Sequence, residues 1–419
     1  MDHPKSRYTY VGIDSHKDTH TAVFIDCFFE KLGEATFGNR PSEYPGFLAG
    51  AEKLKAPGTR LMFGLEDTGM YGRGLAVFLA ESGQQAKHVN ALLVAGERKT
   101  QNIVQKTDAV DAGCAARILL SKFGELPDAD VDGRYWALRT LVMRRGFIVK
   151  NNASLKSHLH GILTLHYPGY RGFFPEIDSK ASLAFFMRYP SPGTLEGTAV
   201  EGLAAFLQEA SDGRVGLGKA GMARAQGILD MLEDTAVPFQ GIRDDAVRGT
   251  VRQIQANQKE IGQVEKAMAV FLEKFDCTLT SMAGIDMVCA AQMLSCIGDI
   301  KRFPTPAKLA RYAGIAPVTY ASGRKDLQFA NQRGNRELNS IFYLLALRLI
   351  AATPAGNMRN PFFYEYYRRK VSEGKTKRQA LKCVQRRLVN IVWAMLANGE
   401  EYVNPPLFAP PGKTEETQE

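Results

Sequence analysis

The sequence predicts an α/β domain at its start and helical regions after it: a mixed β-sheet with helices packed on it, then long coiled-coil helices, then a mainly helical C-terminal domain. Three observations carry this. Short apolar runs, some with strand alternation, recur between residues 8 and 90. From residue 134 apolar residues return at steps of three and four over long stretches, and between these stretches Gly and Pro punctuate residues 167–245.

Strands are expected at 8–14, 19–28, 32–37, 60–66 and 86–90, with helices near 41–55, 71–83 and 107–122. The first three strands follow one another directly, and "VGIDSHKDTHTAVFI" (11–25) reads as two strands joined by a tight polar connection. Later strands alternate with helices, as in a mixed sheet. Beyond residue 134, Leu138, Leu141, Arg145, Ile148, Asn152, Leu155, Leu159 and Ile162 form one seam. Val247, Thr250, Ile254, Asn257, Ile261, Val264, Met268, Phe271 and Phe275 form another. Polar seam positions can fix register, and the two helices could pair within one chain or between two. The seams serve equally as core faces of a bundle. The segment 167–245 reads as irregular with short helical pieces. Its "GRVGLGKA" (213–220) imitates a phosphate-binding loop, but Ala220 stands where a Ser or Thr is needed and no apolar strand precedes it. Domains are expected at 1–125, 126–275 and 276–403, with a Pro-rich, disordered tail over 404–419.

The chain has 419 residues, 45% of them hydrophobic, enough for a sizeable core. No run approaches the ~20 apolar residues of a membrane span, and "MDHPKSRYTY" lacks the apolar core of a signal peptide, so a cytoplasmic protein without membrane partners is expected. Six cysteines without a CxxC pair read as reduced and structural. The net charge of +9 is unevenly spread: residues 301–390 hold nineteen Lys and Arg against four Asp and Glu, so the rest of the chain is acidic by six. Phe303, Tyr312, Tyr320, Phe329 and Tyr343 interleave with those cations, a pattern suited to a surface that tracks phosphates. Nucleic acid is the expected partner.

Asp14 ends the first apolar run, where an unpaired carboxylate is costly. "LMFGLEDTGMYG" (61–72) places Glu66 at the end of another apolar strand, the edge at which open α/β sheets bind ligands. Asp67 competes for that role, but Glu66 closes the apolar run. "KTDAVDAGCAARIL" (106–119) sets Asp108 and Asp111 on one helix face. Four converging carboxylates need cations, and Mg2+ is the natural occupant; two ions ~4 Å apart would suit in-line phosphoryl displacement. "TDAVDA" alone would read as a helix start favoured by the dipole.

"GIDSHKDTH", "GLEDTGMYG" and "KTDAVDA" resemble the DEDD motifs of the RuvC-like (RNase H-like) domain in the IS110 group of insertion-sequence transposases. "LTSMAGI", "IGDIKRFPTPAKLARYAGIAPV", "ASG" and "RGNRELN" are similar to that family's second domain, in the family's order. The resemblance covers nearly the whole chain. It implies a DNA transposase or recombinase that acts on element ends and target DNA; because the acidic residues and the candidate serine Ser322 lie some two hundred residues apart, so that the long helices could let one protomer's serine complete another's acidic site, a homodimer or homotetramer is expected. It further implies a structured noncoding guide RNA that bridges the two DNAs. Two departures stand out: "QRGN" where a lysine often precedes "GN", and Asn339 where a second Arg often follows the Leu.

"APVTYASGRKDLQF" (316–329) contains Ser322, which matches the serine proposed to attack DNA in that group. From residues alone a Ser-Gly turn explains the pair equally well, and Tyr320 is a second candidate nucleophile. Arg324 and Lys325 beside it could stabilise an attacked phosphate. Further candidate nucleic-acid contacts are Arg144, Lys150 and Lys156 on the first long helix, then Arg333, Arg336, Lys377, Arg378, Lys382, Arg386 and Arg387. Three other functions compete. A hydrolytic RuvC or RNase H-like nuclease needs no serine; a noncatalytic nucleic-acid-binding protein needs no metal; an actin-like ATPase needs small Gly and Thr residues just after its Asp, where "DSHKDTH" places His16 and Lys17.

Overall fold

The computed structural model describes residues 3–66, 71–129, 131–214, 218–232, 239–322, 325–329, 331, 334–353 and 356–404. These form two compact units that interleave along the chain. One contains Met1–Trp136, Cys296–Ala346 and Tyr366–Asn398; the other contains Ala137–Ser295, Leu347–Glu365 and Gly399–Glu419.

In the first unit, β1 (Tyr8–Ser15), β2 (Thr19–Ile25), β3 (Lys31–Gly38), α1 (Tyr44–Leu54), β4 (Arg60–Glu66), α2 (Arg73–Glu81), β5 (Gln85–His88), α3 (Ala91–Thr100) and α4 (Asp108–Lys122) follow in order. The five strands make one mixed sheet in the order β3-β2-β1-β4-β5. β2 lies antiparallel to β1 and β3, whereas β4 runs parallel to β1 and β5. This is the mixed α/β arrangement expected from the sequence. Strand alternation divides the core between two faces. Val11, Ile13, Phe24, Phe63 and Leu65 pack with Tyr44, Phe47, Leu75 and Leu79 of α1 and α2. Tyr10, Val23, Ile25 and Met62 pack with Ala112, Ala115, Ala116 and Leu119 of α4.

Gly12 decides how closely α4 approaches. A Cβ there would overlap the Ala112 carbonyl and the Ala116 amide, and would sit 2.8 Å from Ala116 Cα. Only glycine lets the helix lie on the strand. Two expectations change in this region. β2 stops at Ile25, not residue 28, because Asp26 Oδ1 accepts from the Phe28 and Glu30 amides and turns the chain. α3 was not foreseen, because it buries only Val94 and so lacks an apolar stripe.

The same unit contains β6 (Val318–Ser322) and β7 (Lys325–Phe329), an antiparallel pair with Ser322 opposite Lys325. It also holds the helix Pro306–Tyr312, which packs on Lys377–Asn398, where Trp393 Nε1 donates to the Phe303 carbonyl at 2.7 Å.

The second unit is helical. α5 (Gly133–His166) and α9 (Gln240–Leu272) pair antiparallel within the chain: Arg144 bonds Glu260, Arg145 Nε reaches Glu265 at 2.7 Å, Asn257 Nδ2 donates to Asn151 at 2.8 Å, and Arg243 meets His166 at 3.2 Å. Leu138, Ile148, Leu159, Val247, Ile254 and Met268 of the expected seams are buried, as is polar Asn152. Between the two helices, α6 (Lys180–Arg188), α7 (Val200–Ala210) and α8 (Lys219–Asp230) surround a denser core than an irregular segment suggests. Tyr167, Tyr170, Phe173, Phe185, Phe186 and Tyr189 are buried there together with Leu159, Val247 and Ile254 of the long helices. The loop-like "GRVGLGKA" follows helix α7 instead of a strand, and residues 215–217 of it lie outside the described residues. No described helix is long and apolar enough to cross a membrane.

Candidate active site

Asp14 and Glu66 lie side by side on the parallel strands β1 and β4. Both share the pleat of Gly12 and Gly64, whose Cβ positions meet α4, so both carboxylates stand on the face that α4 covers. α4 begins at Asp108, with Thr107 capping it through the Val110 amide, and Asp108 and Asp111 occupy its first turn. The close approach at Gly12 therefore brings a helix start with two carboxylates to the end of the strands that carry the other two. The helix dipole lowers the cost of that gathering, though by only a fraction of the repulsion among four like charges.

The electrostatics register the convergence. Burial, then the charges of Asp14 and Asp111, push the Glu66 carboxyl up to about 7 against the pull of Lys106 and Arg98. Burial likewise raises Asp14, with His16 pulling downward and Asp108 and Asp111 pushing upward. Glu66 Oε2 is buried without a hydrogen-bond partner among the described residues. Two cations relieve the rest. His16 Nε2 lies 3.1 Å from Asp14 Oδ2 and 3.2 Å from Asp108 Oδ1. Burial works against a charged His16, but Asp14 and Asp108 outweigh it and raise its pKa. Arg98 of α3 binds Asp111. Neither was foreseen. His16 had a sequence signal in its place two residues after Asp14, whereas Arg98 lies thirteen residues from Asp111 and had none.

This donor set fits a hard divalent cation. It offers carboxylate oxygens, one of them buried and unpartnered, in a site with more negative charge than local cations neutralise. The ligand atoms of Asp14, His16 and Asp108 already lie within 4.8 Å of one another.

Ser322 ends β6. The base of its hairpin is held by side-chain amides: Asn331 Nδ2 donates to the Arg311 carbonyl at 3.2 Å, and Asn339 Nδ2 to the Ala313 and Gly314 carbonyls at 2.8 and 3.1 Å. The Asn335 backbone N–H donates to Tyr312 O at 2.7 Å, while its side chain donates to Tyr312 Oη at 3.1 Å and accepts from the Leu338 amide at 2.9 Å. Gly314, at φ +67°, and Gly334 touch so closely that a Cβ on Gly334 would strike Ala313 and Gly314. "AGI" and "RGNRELN" are thus two halves of one clamp.

Comparison with known proteins joins these two halves. Residues 11–168 match a family model described as a transposase, and residues 277–366 match the model of the transposase IS116/IS110/IS902 family. The chain thus contains two regions that match IS110/IS116-family transposase domains. It is 29% identical to a 43.6 kDa protein of insertion element IS110 from Streptomyces coelicolor, over 71% of this chain and 72% of the relative. It is 26% identical to a 44.8 kDa protein of insertion element IS116 from Streptomyces clavuligerus, over 92% and 94%. A pilin gene-inverting protein of Moraxella bovis is 28% identical over 30% of this chain and 37% of its own. All three belong to DNA-rearranging systems by name.

The expected phosphate contacts divide. Arg144 is engaged with Glu260, and Lys156 with Asp178 at 2.9 Å. Lys150 is exposed on α5, as are Arg336, Lys377 and Arg378 at the starts of their helices. Lys382 is half-buried, and burial followed by the charge of Arg378 lowers its pKa. Arg386 bonds Asn390, and the Arg387 guanidinium lies 5.1 Å from the Tyr366 ring. Asp67, Arg324 and Arg333 lie outside the described residues, and Lys325 and Tyr320 are placed as strand residues.

Proposed function

We propose that this protein cuts and rejoins DNA strands at the ends of its insertion sequence and at a target. In this proposal Asp14, Glu66, Asp108 and Asp111 hold magnesium, and Ser322 is the nucleophile. The observation that carries it is the gathering of four carboxylates, one with its proton affinity raised to about 7, at one end of the sheet. Such a cluster is unfavourable unless a cation binds there.

Magnesium at this site would polarise phosphoryl oxygens and offset charge on attacking and leaving oxygens. The chain's own groups do the rest. Asp14 and Glu66 fix the position of the cation from rigid strands, and Asp108 and Asp111 do so from the first turn of α4. The Ser322 Oγ–P bond forms as a scissile P–O bond breaks, and the serine proton ends on the leaving sugar hydroxyl. A hydroxyl from a second strand then attacks the phosphoserine, breaking Oγ–P and returning the proton to serine. The phosphodiester energy is conserved, so exchange needs no ATP. Residues 1–125 would supply the metal site, 126–275 the helical spacer and 276–403 the serine. A structured RNA from the element would choose the sequences by base pairing, and a homodimer or homotetramer would present two strands together.

The test expresses the protein with its flanking noncoding DNA and measures DNA covalently attached after denaturing lysis. Wild type should yield an adduct, with at least a hundredfold less in both Ser322→Ala and Asp14→Asn. Cleavage without an adduct, or an adduct that survives Ser322→Ala, would instead favour a hydrolytic nuclease or another nucleophile.

A further inference from the structure

The acidic end has an asymmetry in how its carboxylates are used. Asp111 is bound by Arg98, and the two side chains are only 9% and 21% exposed. Arg98 is not a cation on a loose tether. One residue before it, Glu97 accepts from Arg117 Nε of α4 at 3.3 Å and from Gln101 at 2.6 Å, so α3 is latched to α4 by two ion pairs of opposite polarity. Among the described residues, Asp14, Glu66 and Asp108 have no such arginine; Asp14 and Asp108 share His16, and Glu66 keeps a buried oxygen without a partner.

Charge then limits occupancy. Four ionised carboxylates with Arg98 carry three net negative charges, or two where His16 is also charged, so one divalent ion leaves at most a single negative charge. A second ion would make this partly buried pocket net positive before any substrate arrives, which is costly where water is scarce. The phosphodiester brings the negative charge that offsets a second ion.

We infer that Arg98 restricts the DNA-free site to one divalent ion, held by Asp14, Glu66 and Asp108, and that the second ion enters only with the phosphate. Arg98 is a positioning residue that keeps Asp111 out of the resting ligand set. This rests on the metal-site reading of the Proposed function, and it replaces two resting ions with one.

The experiment counts Mn2+ bound to the full-length, DNA-free protein by calorimetry and by electron paramagnetic resonance. Wild type and Arg98→Lys should each bind one ion per chain. Arg98→Gln, which frees Asp111, should bind a second. Asp111→Asn should keep the single ion within about threefold of the wild-type affinity, whereas Asp14→Asn should weaken it at least tenfold. Two ions in wild type, or one ion with unchanged affinity in Arg98→Gln, overturns the inference alone. If Arg98→Gln does not fold, Asp111→Asn still decides, because loss of its ion would make Asp111 a resting ligand. Absence of Mn2+ binding in wild type would overturn the metal site itself.

Discussion

The acidic end of the sheet and the serine hairpin are held by different kinds of force. Asp14 and Glu66 sit on adjacent strands of a five-stranded sheet with apolar packing on both faces, and Asp108 and Asp111 ride on a helix pressed against β1 at Gly12. Moving any of these carboxylates means disturbing a core. Ser322 lies on a two-stranded ribbon whose strands pair only with each other among the described residues, and three asparagine side chains tie its base. A two-stranded ribbon by itself is marginal in water, so its position depends on a handful of hydrogen bonds. The contrast teaches that the proposed cation site is built before substrate arrives, whereas placement of the proposed nucleophile rests on polar clamping that single substitutions can loosen.

The strongest way to break this comparison is Gly12→Val. The side chain would overlap the α4 backbone, so a stability loss of about 3 kcal/mol is expected in thermal denaturation, together with loss of Mn2+ binding. A variant that melts like wild type would mean that α4 is not locked to β1. Close in size is a pH effect. Glu66 holds its proton up to about 7 in the fold instead of its ordinary 4.5. Its contribution to metal-free stability is therefore complete below pH 4.5 and is lost as pH rises toward 7, by at most about 3 kcal/mol. The stability difference between wild type and Glu66→Gln, followed by denaturant titration from pH 4.5 to 7.5, should show that fall, and saturating Mg2+ should flatten it. The smallest effect sharpens the other side. Asn335→Ala removes the cap of the helix Arg336–Ile350 and the bond to Tyr312, at a cost of roughly 1–2 kcal/mol. Covalent adduct should drop at least fivefold while Mn2+ affinity stays within twofold; if both fall together, the two regions are not independent.

Legibility in the sequence follows the same division. β1, β2, β4 and α4 could be read because each buries an apolar run, Asp14 and Glu66 because each closes such a run, and Asp108 and Asp111 because their spacing of three sets them on one face of a helix. α3 was missed despite its N-cap, where Asn90 accepts from the Leu92 amide, because a helix with one buried residue leaves no stripe to detect. The cations of the site were hidden for another reason: an Arg98–Asp111 pair depends on how α3 packs on α4, and no local period encodes that. Asn339, a departure from the family pattern that puts a secondary phosphate contact in doubt, bonds the Ala313 and Gly314 carbonyls. The aromatic core of 167–232 was obscured by the glycines and prolines of its connections.

The antiparallel pairing of α5 and α9 also has a mechanical meaning. At 1.5 Å per residue the 34 residues of α5 reach about 50 Å. Where the two helices meet the intervening segment, Leu159, Leu163, Val247, Val251 and Ile254 are buried in the same cluster as its phenylalanines and tyrosines. The pair is thus riveted at that end, and peeling one helix from the other there would tear open an aromatic core. Over that length, a rotation of a few degrees at the riveted end corresponds to a displacement of several ångströms at the far end.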